Sequence, residues 1–317
     1  MRPKILTAGS INMDLMMYNV EKIPRLGESA YCRDYEYASG GKASNQALAL
    51  ARMGAVSFLA GRVGNDRNGR QLVEQLEKAG VDTRYVIVDA DHSTGLSTMN
   101  VNKRGEYFSV LAPGANNYIR TEDIKKALSE NRFDMVVLQL EMPLETVYQT
   151  YEIAKAQGIP VFLDAGPAMS IPLKRFSGIF AISPNEAETE ALTGIAPDSE
   201  KHIQEAAEWL YQAVAPEYVI LKLGRRGALL YDGSHMSLIE AYPVEAVDST
   251  AAGDTFGAAF AVQYCQGAKM DDAVRFANAA AAVCVTRKGG YPSIPCRDEA
   301  EEFYGRVRCQ DRECITK

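Results

Sequence analysis

Short apolar runs alternate with amphipathic helical stretches along almost the whole of this chain, and that alternation limits the fold more than any other feature. Strand-like runs fall at 4–9, 56–61, 134–140, 160–164, 178–182 and 218–223. Helical stretches fall between and after them, at 42–53, 67–79, 121–129, 143–157, 185–193, 199–213, 253–267 and 270–285. In the stretch 67–79, Leu72, Val73, Leu76 and Ala79 share one face and Gly80 stops the helix. Strands that alternate with helices predict a mainly parallel sheet covered on both faces. The expected architecture is therefore a three-layer α/β/α fold.

Two regions break the rhythm. Residues 14–38 and 93–111 read as short strands and turns. Within the second, Gly95–Val101, a turn at Lys103-Arg104-Gly105 and Tyr107–Leu111 predict a hairpin. The chain has 317 residues, of which 47% are hydrophobic and 24% charged, enough for a full core. Its net charge of −7 argues against a nucleic-acid partner, which favours a basic face. No apolar run approaches the ~20 residues of a membrane helix. The six cysteines form no CxxC pair and no zinc spacing with the three histidines. The chain enters its first strand by about residue 4, so no signal peptide is expected, and reduced thiols in the cytoplasm follow.

Three segments carry chemistry. In VDSTAAGDTFGAAF, residues 247–260, small residues lead into a helix. Ala251, Ala252 and Gly253 leave backbone N–H groups uncovered at its N-terminus, where anions bind. Asp254 at that positive end can take a proton from a hydroxyl while the N–H groups stabilise a transferring phosphoryl group; it can also simply cap the helix. In SGGKASNQALALARMGA, residues 39–55, Gly40 and Gly41 allow a tight turn and close approach to a ligand. Lys42 and Asn45 follow as donors for a polyol. In GSINMDL, residues 9–15, Asn12 and Asp14 lie just past the carboxyl end of a strand, where open α/β sheets bind ligands. Glu141 stands at another such end. Asn, Asp and Glu suit sugar hydroxyls, which donate and accept.

Together these segments resemble the signatures of the ribokinase-like (phosphofructokinase B-type) carbohydrate kinase family. QLEMP at 139–143, SPNEAE at 183–188, KLGRRG at 222–227 and VTRKGGYPS at 285–293 extend the resemblance over essentially the whole chain. It implies one kinase domain over 1–317, with 14–38 and 93–111 as a small β lid over the sugar and a surface for homodimerisation. It implies ATP, Mg2+ and K+ as cofactors, and transfer of the γ-phosphoryl group to a primary sugar hydroxyl, with D-ribose the first expectation. Asp254 is then the base, and the backbone of Ala251, Ala252, Gly253 and Asp254 the anion hole.

The same resemblance assigns the remaining roles. Asn12, Asp14, Gly40, Gly41, Lys42, Asn45, Glu141 and Asp254 are expected at the sugar. Asn185, Lys222, Gly224, Gly227, Gly253 and Asn278 are expected at the nucleotide. Glu188 is expected to order magnesium indirectly, as part of an Asn-x-x-Glu motif in which Asn185 also reads as a plain N-cap. Asp248 with the backbone at Thr250, Val285, Lys288 and Gly290 is expected to hold potassium.

The chain departs from the usual ribokinase pattern at Ala43, at the DAGP run 164–167, at Phe256-Gly257, and at Ser97 and Met99 in the lid. A kinase of the same family for a ketose, a deoxy sugar acid or a nucleoside therefore stands beside the ribose reading. A non-catalytic sugar sensor predicts loss of Asp254 or Gly253, and both are present. A dinucleotide-dependent oxidoreductase needs GxGxxG after the first strand, where this chain has GSINMD.

Overall fold

The computed structural model describes residues 2–104 and 107–315, with the side chains of Tyr107 and of 309–315 left aside. In chain order the elements open with β1 (Lys4–Ala8), β2 (Asn12–Val20), β3 (Asp34–Gly40), α1 (Lys42–Arg52), β4 (Val56–Gly64), α2 (Arg67–Lys78) and β5 (Asp82–Asp89). Next come β6 (Gly95–Asn102), β7 (Tyr107–Ala112), α3 (Thr121–Glu130), β8 (Met135–Leu138), α4 (Leu144–Ala156), β9 (Val161–Leu163) and β10 (Ala181–Ile182). The chain closes with α5 (Glu186–Thr193), α6 (Glu200–Val214), β11 (Tyr218–Lys222), β12 (Ala228–Tyr231), β13 (Met236–Ile239), α7 (Ala252–Cys265), α8 (Met270–Val285), α9 (Gly290–Ser293) and α10 (Arg297–Ile315).

Nine strands form one sheet in the order β13-β12-β11-β10-β9-β8-β1-β4-β5. It is parallel from β11 to β5, and β12 and β13 add an antiparallel edge. Its central strands are buried on both sides; Met135–Leu138 has no exposed residue. That double burial is what a parallel sheet between two helical layers requires. One core cluster joins the sheet to α1, α7 and α8, with Leu48, Leu50, Phe162, Phe256 and Phe260 at its centre. A second joins the opposite face to α3, α4 and α6 through Ile124, Tyr151, Phe176 and Leu210.

The two irregular regions form a separate four-stranded sheet, in the order β3-β2-β6-β7. β2 runs antiparallel to β3 but parallel to β6, so the two segments, far apart in sequence, close into one sheet. The predicted hairpin is present as β6 and β7; Gly105 of its turn lies outside the described residues. The structure also corrects the element map. Strands β5, β12 and β13 and helix α10 fall in stretches with no element predicted. β5 reads DTRYVIVD with only three buried positions, a weak apolar signal. The β12–β13 hairpin turns at Asp232-Gly233, a turn pair the alternating βα rhythm obscured.

Candidate active site

The loop after Ser249 turns on Ala251, which stands at φ 62, and delivers the chain into α7. A left-handed alanine is disfavoured by about 1–2 kcal/mol, so the surrounding packing must enforce it. Ala252 N–H is spent on Ser249 O at 3.2 Å. Among the described residues, the N–H groups of Gly253 and Asp254 have no acceptor. They are two of the orphan donors at a helix start and point their positive ends at one spot.

Asp254 is buried, with 6% of its surface exposed. Asn45 Nδ2 donates to its Oδ2 at 2.9 Å, and Gln46 Nε2 donates to its Oδ1 at 3.1 Å. Burial pushes its carboxyl up, to about 6, with Asp164 adding to the rise, while Lys42, Asn45 and Lys222 pull the other way. A carboxylate in that range is a proton acceptor at neutral pH and a better base than an ordinary aspartate.

Behind it lies an ion cluster. Asp164, directly after β9, accepts from Lys222 Nζ and from Gln46 Nε2, the latter at 2.8 Å. Lys42 Nζ lies 3.6 Å from Asp164 Oδ2 and 3.5 Å from Glu188 Oε1. Burial opposes the Lys42 charge, but Asp164, Asp254, Glu188 and Glu141 together hold its pKa above the ordinary lysine value. Asp164 is held below its ordinary range: burial opposes this, and Lys222 and Lys42 outweigh it. Lys222 Nζ comes within 3.5 Å of where a Cβ on Gly253 would stand, so its charge sits at the open end of α7.

A second group of polar residues lies where β2 meets α1. Gly41, at φ 93, starts α1; a Cβ there would meet Asn12 N and Ser10 O at 2.8 Å. A Cβ on Gly40 would overlap Asp14 Oδ2 at 1.9 Å, so the glycine makes room for that carboxylate. The Asp14 carboxylate accepts no hydrogen bond from the described residues, and burial with the nearby Glu141 charge raises its pKa to about 7. Glu141 Oε2 accepts from Ser10 Oγ at 2.5 Å and from Lys42 N at 3.1 Å. Asn12 Oδ1 accepts from Asn116 Nδ2 at 2.7 Å, which leaves the Asn12 amide hydrogens for a ligand.

Several expected ligands already hold a partner within the protein. Asn45, expected at the sugar, spends an amide hydrogen on Asp254. Lys42 and Lys222 stand on Asp164. Asn185 is the N-cap of α5: its Oδ1 accepts from Glu188 N, and Glu188 Oε2 accepts from Asn185 N at 2.8 Å. Asn278 Nδ2 holds the carbonyls of Ile239 and Glu240, which steers the chain out of β13. Gly224 and Gly227 bracket the turn after β11, and a Cβ on Gly227 would strike Ile239 O at 2.0 Å.

Around Asp248, Oδ1 accepts from Thr250 N and Oγ1 and Oδ2 accepts from Gly289 N. Burial opposes its charge, but these bonds hold the carboxyl below its ordinary range. The carbonyl of Val285 already accepts from Val247 N and Asp248 N, so its lone pairs are used. Gly290 O accepts from Ser293 Oγ at 2.8 Å and Thr250 O lies 3.7 Å from Cys284 Sγ, so each has one lone pair engaged and one to spare. With Asp248 and the Lys288 carbonyl they form a set of hard oxygen donors suited to an alkali cation. Among the described residues no cluster of three or more His, Cys, Asp or Glu could hold a metal.

Sequence reasoning passed over Gln46, Gln139, Asn116 and Ser10, and met Asp164 only as a departure in DAGP. Gln46 and Gln139 are fully buried amides, inside a helix and just beyond a strand, and their one signal in the sequence is an uncharged polar residue beside an apolar run, Gln46 before ALALA and Gln139 after MVVL.

The family model for pfkB carbohydrate kinases matches residues 2–297. The chain belongs to the pfkB family of carbohydrate kinases. It is 34% identical over 304 residues to the ribokinase of Haemophilus influenzae, covering 96% of this chain and 99% of that protein. It is 33% identical over 301 residues to the deoxyribokinase of Salmonella typhi, covering 94% and 98%. The structure of Arabidopsis thaliana ribokinase complexed with ribose and ATP superposes with a TM-score of 0.86 at 30% identity, covering 96% of this kinase and 99% of that chain. The kinase thus has the ribokinase-like fold, and the small sheet is part of it. No helix among its described residues is long and apolar enough to cross a membrane.

Proposed function

We propose that this sugar kinase transfers the γ-phosphoryl group of ATP to a primary hydroxyl of a small pentose, D-ribose first among them. The observation that carries the proposal is the pairing of a base and an anion hole: the raised, amide-held carboxylate of Asp254 beside the unpartnered N–H groups of Gly253 and Asp254. In this reading the sugar lies against Asn12, Asp14 and Glu141, and Asp254 accepts the proton of its reacting hydroxyl as the oxygen attacks phosphorus. The N–H groups and Lys222 take up charge on the phosphoryl oxygens, which is where most catalysis of phosphoryl transfer arises. Gly224 and Gly227 shape the nucleotide side, and Asn278 fixes the wall beside it.

Magnesium would neutralise the phosphates. Glu188 is tied to Asn185 N–H and faces Lys42, so it suits a contact through water rather than a bond to the ion. Potassium would sit between Asp248 and the backbone oxygens of Thr250, Lys288 and Gly290, where it would stiffen the turn that bears the anion hole. The small sheet serves as lid, and its exposed Tyr35 and Tyr37, with Tyr31 in the connection before β3, suit a homodimer formed through it. Two lid departures fall differently in space: Ser97 pairs with Asp14 and is buried, whereas Met99 pairs with Met16 farther along β2. Ala43 is wholly buried, its Cβ only 3.0 Å from where a Gly9 Cβ would stand.

The test is ADP release with ATP, magnesium and potassium over ribose, deoxyribose, fructose, keto-deoxy sugar acids and nucleosides, with Asp254→Asn as control. Turnover of ribose above the others supports the reading. Preference for another member keeps the mechanism and moves the substrate. Sugar binding without turnover points to a sensor.

A further inference from the structure

Gln46 is a buried side chain that touches both carboxylates at the floor of the site. Its Oε1 accepts from Gln139 Nε2. Its Nε2 donates to Asp164 Oδ2 at 2.8 Å and to Asp254 Oδ1 at 3.1 Å. The reverse orientation of the amide would set its carbonyl against two carboxylates, so the chemistry fixes which end is which. An amide nitrogen has two hydrogens, and here each is used by a different carboxylate. Asp164 in turn accepts from Lys222, whose ammonium stands at the open N-terminus of α7.

We infer that Gln46 is a positioning residue that ties the base Asp254 to the Lys222–Asp164 ion pair, so that the base and the phosphate-side charge are held in one register. This rests on the reading of Asp254 as the base. The physical argument is one of satisfaction. With Gln46 present, both oxygens of Asp254 are held by neighbouring residues of one helix, Asn45 and Gln46, and its rotamer is fixed. Without it, two buried carboxylates lose a donor at once and face each other with no shared hydrogen-bond donor. The charged and titratable groups around Asp254 are Lys42 from α1, Asp164 after β9, Lys222 from β11 and the Cys284 thiol from α8. Of these, Asp164 alone is linked to Asp254 through a side chain bonded to both.

The test compares wild type, Gln46→Met and Asp164→Asn. Met keeps the length of the side chain and removes both donors; Asn keeps the shape of Asp164 and removes its charge. Two quantities are read: the pH profile of kcat, and the carboxyl 13C titration of Asp254 in Asp-labelled protein, assigned by its disappearance in Asp254→Asn. For Gln46→Met the expected result is a fall in kcat of about 10- to 100-fold with both KM values within about threefold, as for an oriented group acting on the chemical step. The acid limb and the 13C midpoint both move to higher pH, since the carboxylate has lost a donor. For Asp164→Asn both move to lower pH, since a neighbouring negative charge is gone.

A higher midpoint in Gln46→Met together with a loss in kcat at steady KM is something a purely structural role would not produce, and Asp164→Asn, which shifts through charge alone, is the control for direction. An unmoved midpoint in Gln46→Met, or a loss carried by KM alone, overturns the inference. If Gln46→Met does not fold, Gln46→Asn, whose amide is too short to reach both carboxylates, takes its place in the same two readouts, and an unmoved midpoint there overturns the inference. If wild type turns over no sugar, the base reading fails, and the 13C titration still shows whether Gln46 couples the two carboxylates.

Discussion

Two carboxylates in this site have raised pKa values, and their surroundings could hardly differ more. Asp254 is gripped at both oxygens by Asn45 and Gln46, with Lys42 and Lys222 near by. The Asp14 carboxylate lies against Gly40 and accepts nothing from the described residues. The Asp254 carboxylate is held at both oxygens before any ligand arrives, whereas the Asp14 carboxylate is left bare. A carboxylate held this rigidly suits the proposed role of base, since misplacement in a chemical step is costly. A bare acceptor suits a hydroxylated ligand, whose O–H supplies the missing donor.

Substitutions on the two halves should therefore separate in kinetics. Asp254→Asn is expected to lower kcat by ~10²–10⁴ with sugar binding retained, checked by steady-state kinetics and calorimetric titration. Asp14→Ala should instead act through sugar affinity, raising the sugar KM by about 10- to 100-fold, the worth of a hydrogen bond to a charged group. Gly40→Ala is a milder form of the same change: its Cβ displaces the Asp14 carboxylate, and a rise in sugar KM of about tenfold is expected with the ATP KM steady. A Gly40→Ala enzyme with normal sugar KM would remove Asp14 from the sugar site.

The pH dependence separates the halves again. In the proposed role of base, Asp254 with a pKa near 6 must be ionised to act, so kcat should fall as pH drops through about 6. Stability runs the other way. Asp14 is protonated more readily in the folded state than in the unfolded chain, so the native protein binds the extra proton between the ordinary value of 3.8 and about 7. The stability this contributes is present at low pH and lost as pH rises through that window. Asp14→Asn is thus expected to raise Tm at pH 8 by a few degrees relative to wild type, with a smaller gain at pH 5, measured by calorimetry. The smallest effect is expected from replacing potassium by a large organic cation. It leaves sugar KM in place and lowers kcat severalfold by loosening the Ala251 turn; an unchanged rate would remove the cation from Asp248.

Most of the architecture was legible because periodicity reports it. The runs at 4–9, 56–61 and 134–140 became β1, β4 and β8, and helix 270–285 fell where its pattern placed it. What escaped were the edges: β5 and β13, where few positions are buried and the apolar signal thins, and β12, a short buried run of four residues that no helix separates from β11. Residue types with special backbone or charge also stood out in the chain: Gly40 and Gly41 beside Asp14, and Asp254 after a glycine at a helix start.

Sequence by itself determined the layered α/β plan, the two irregular segments, and the glycine and carboxylate positions around which a site is built. Local patterns encode these, since a helix face, a turn or a helix start involves residues near one another in the chain. Only the tertiary structure decided which partners those groups take. Gln46 meets Asp254 across 208 positions and Asp164 across 118, and Lys222 meets Asp164 across 58. No local pattern records such pairings. They exist because the parallel sheet brings the end of β9, the end of β11 and the starts of α1 and α7 to one place, where buried charges must find each other or remain unpaid.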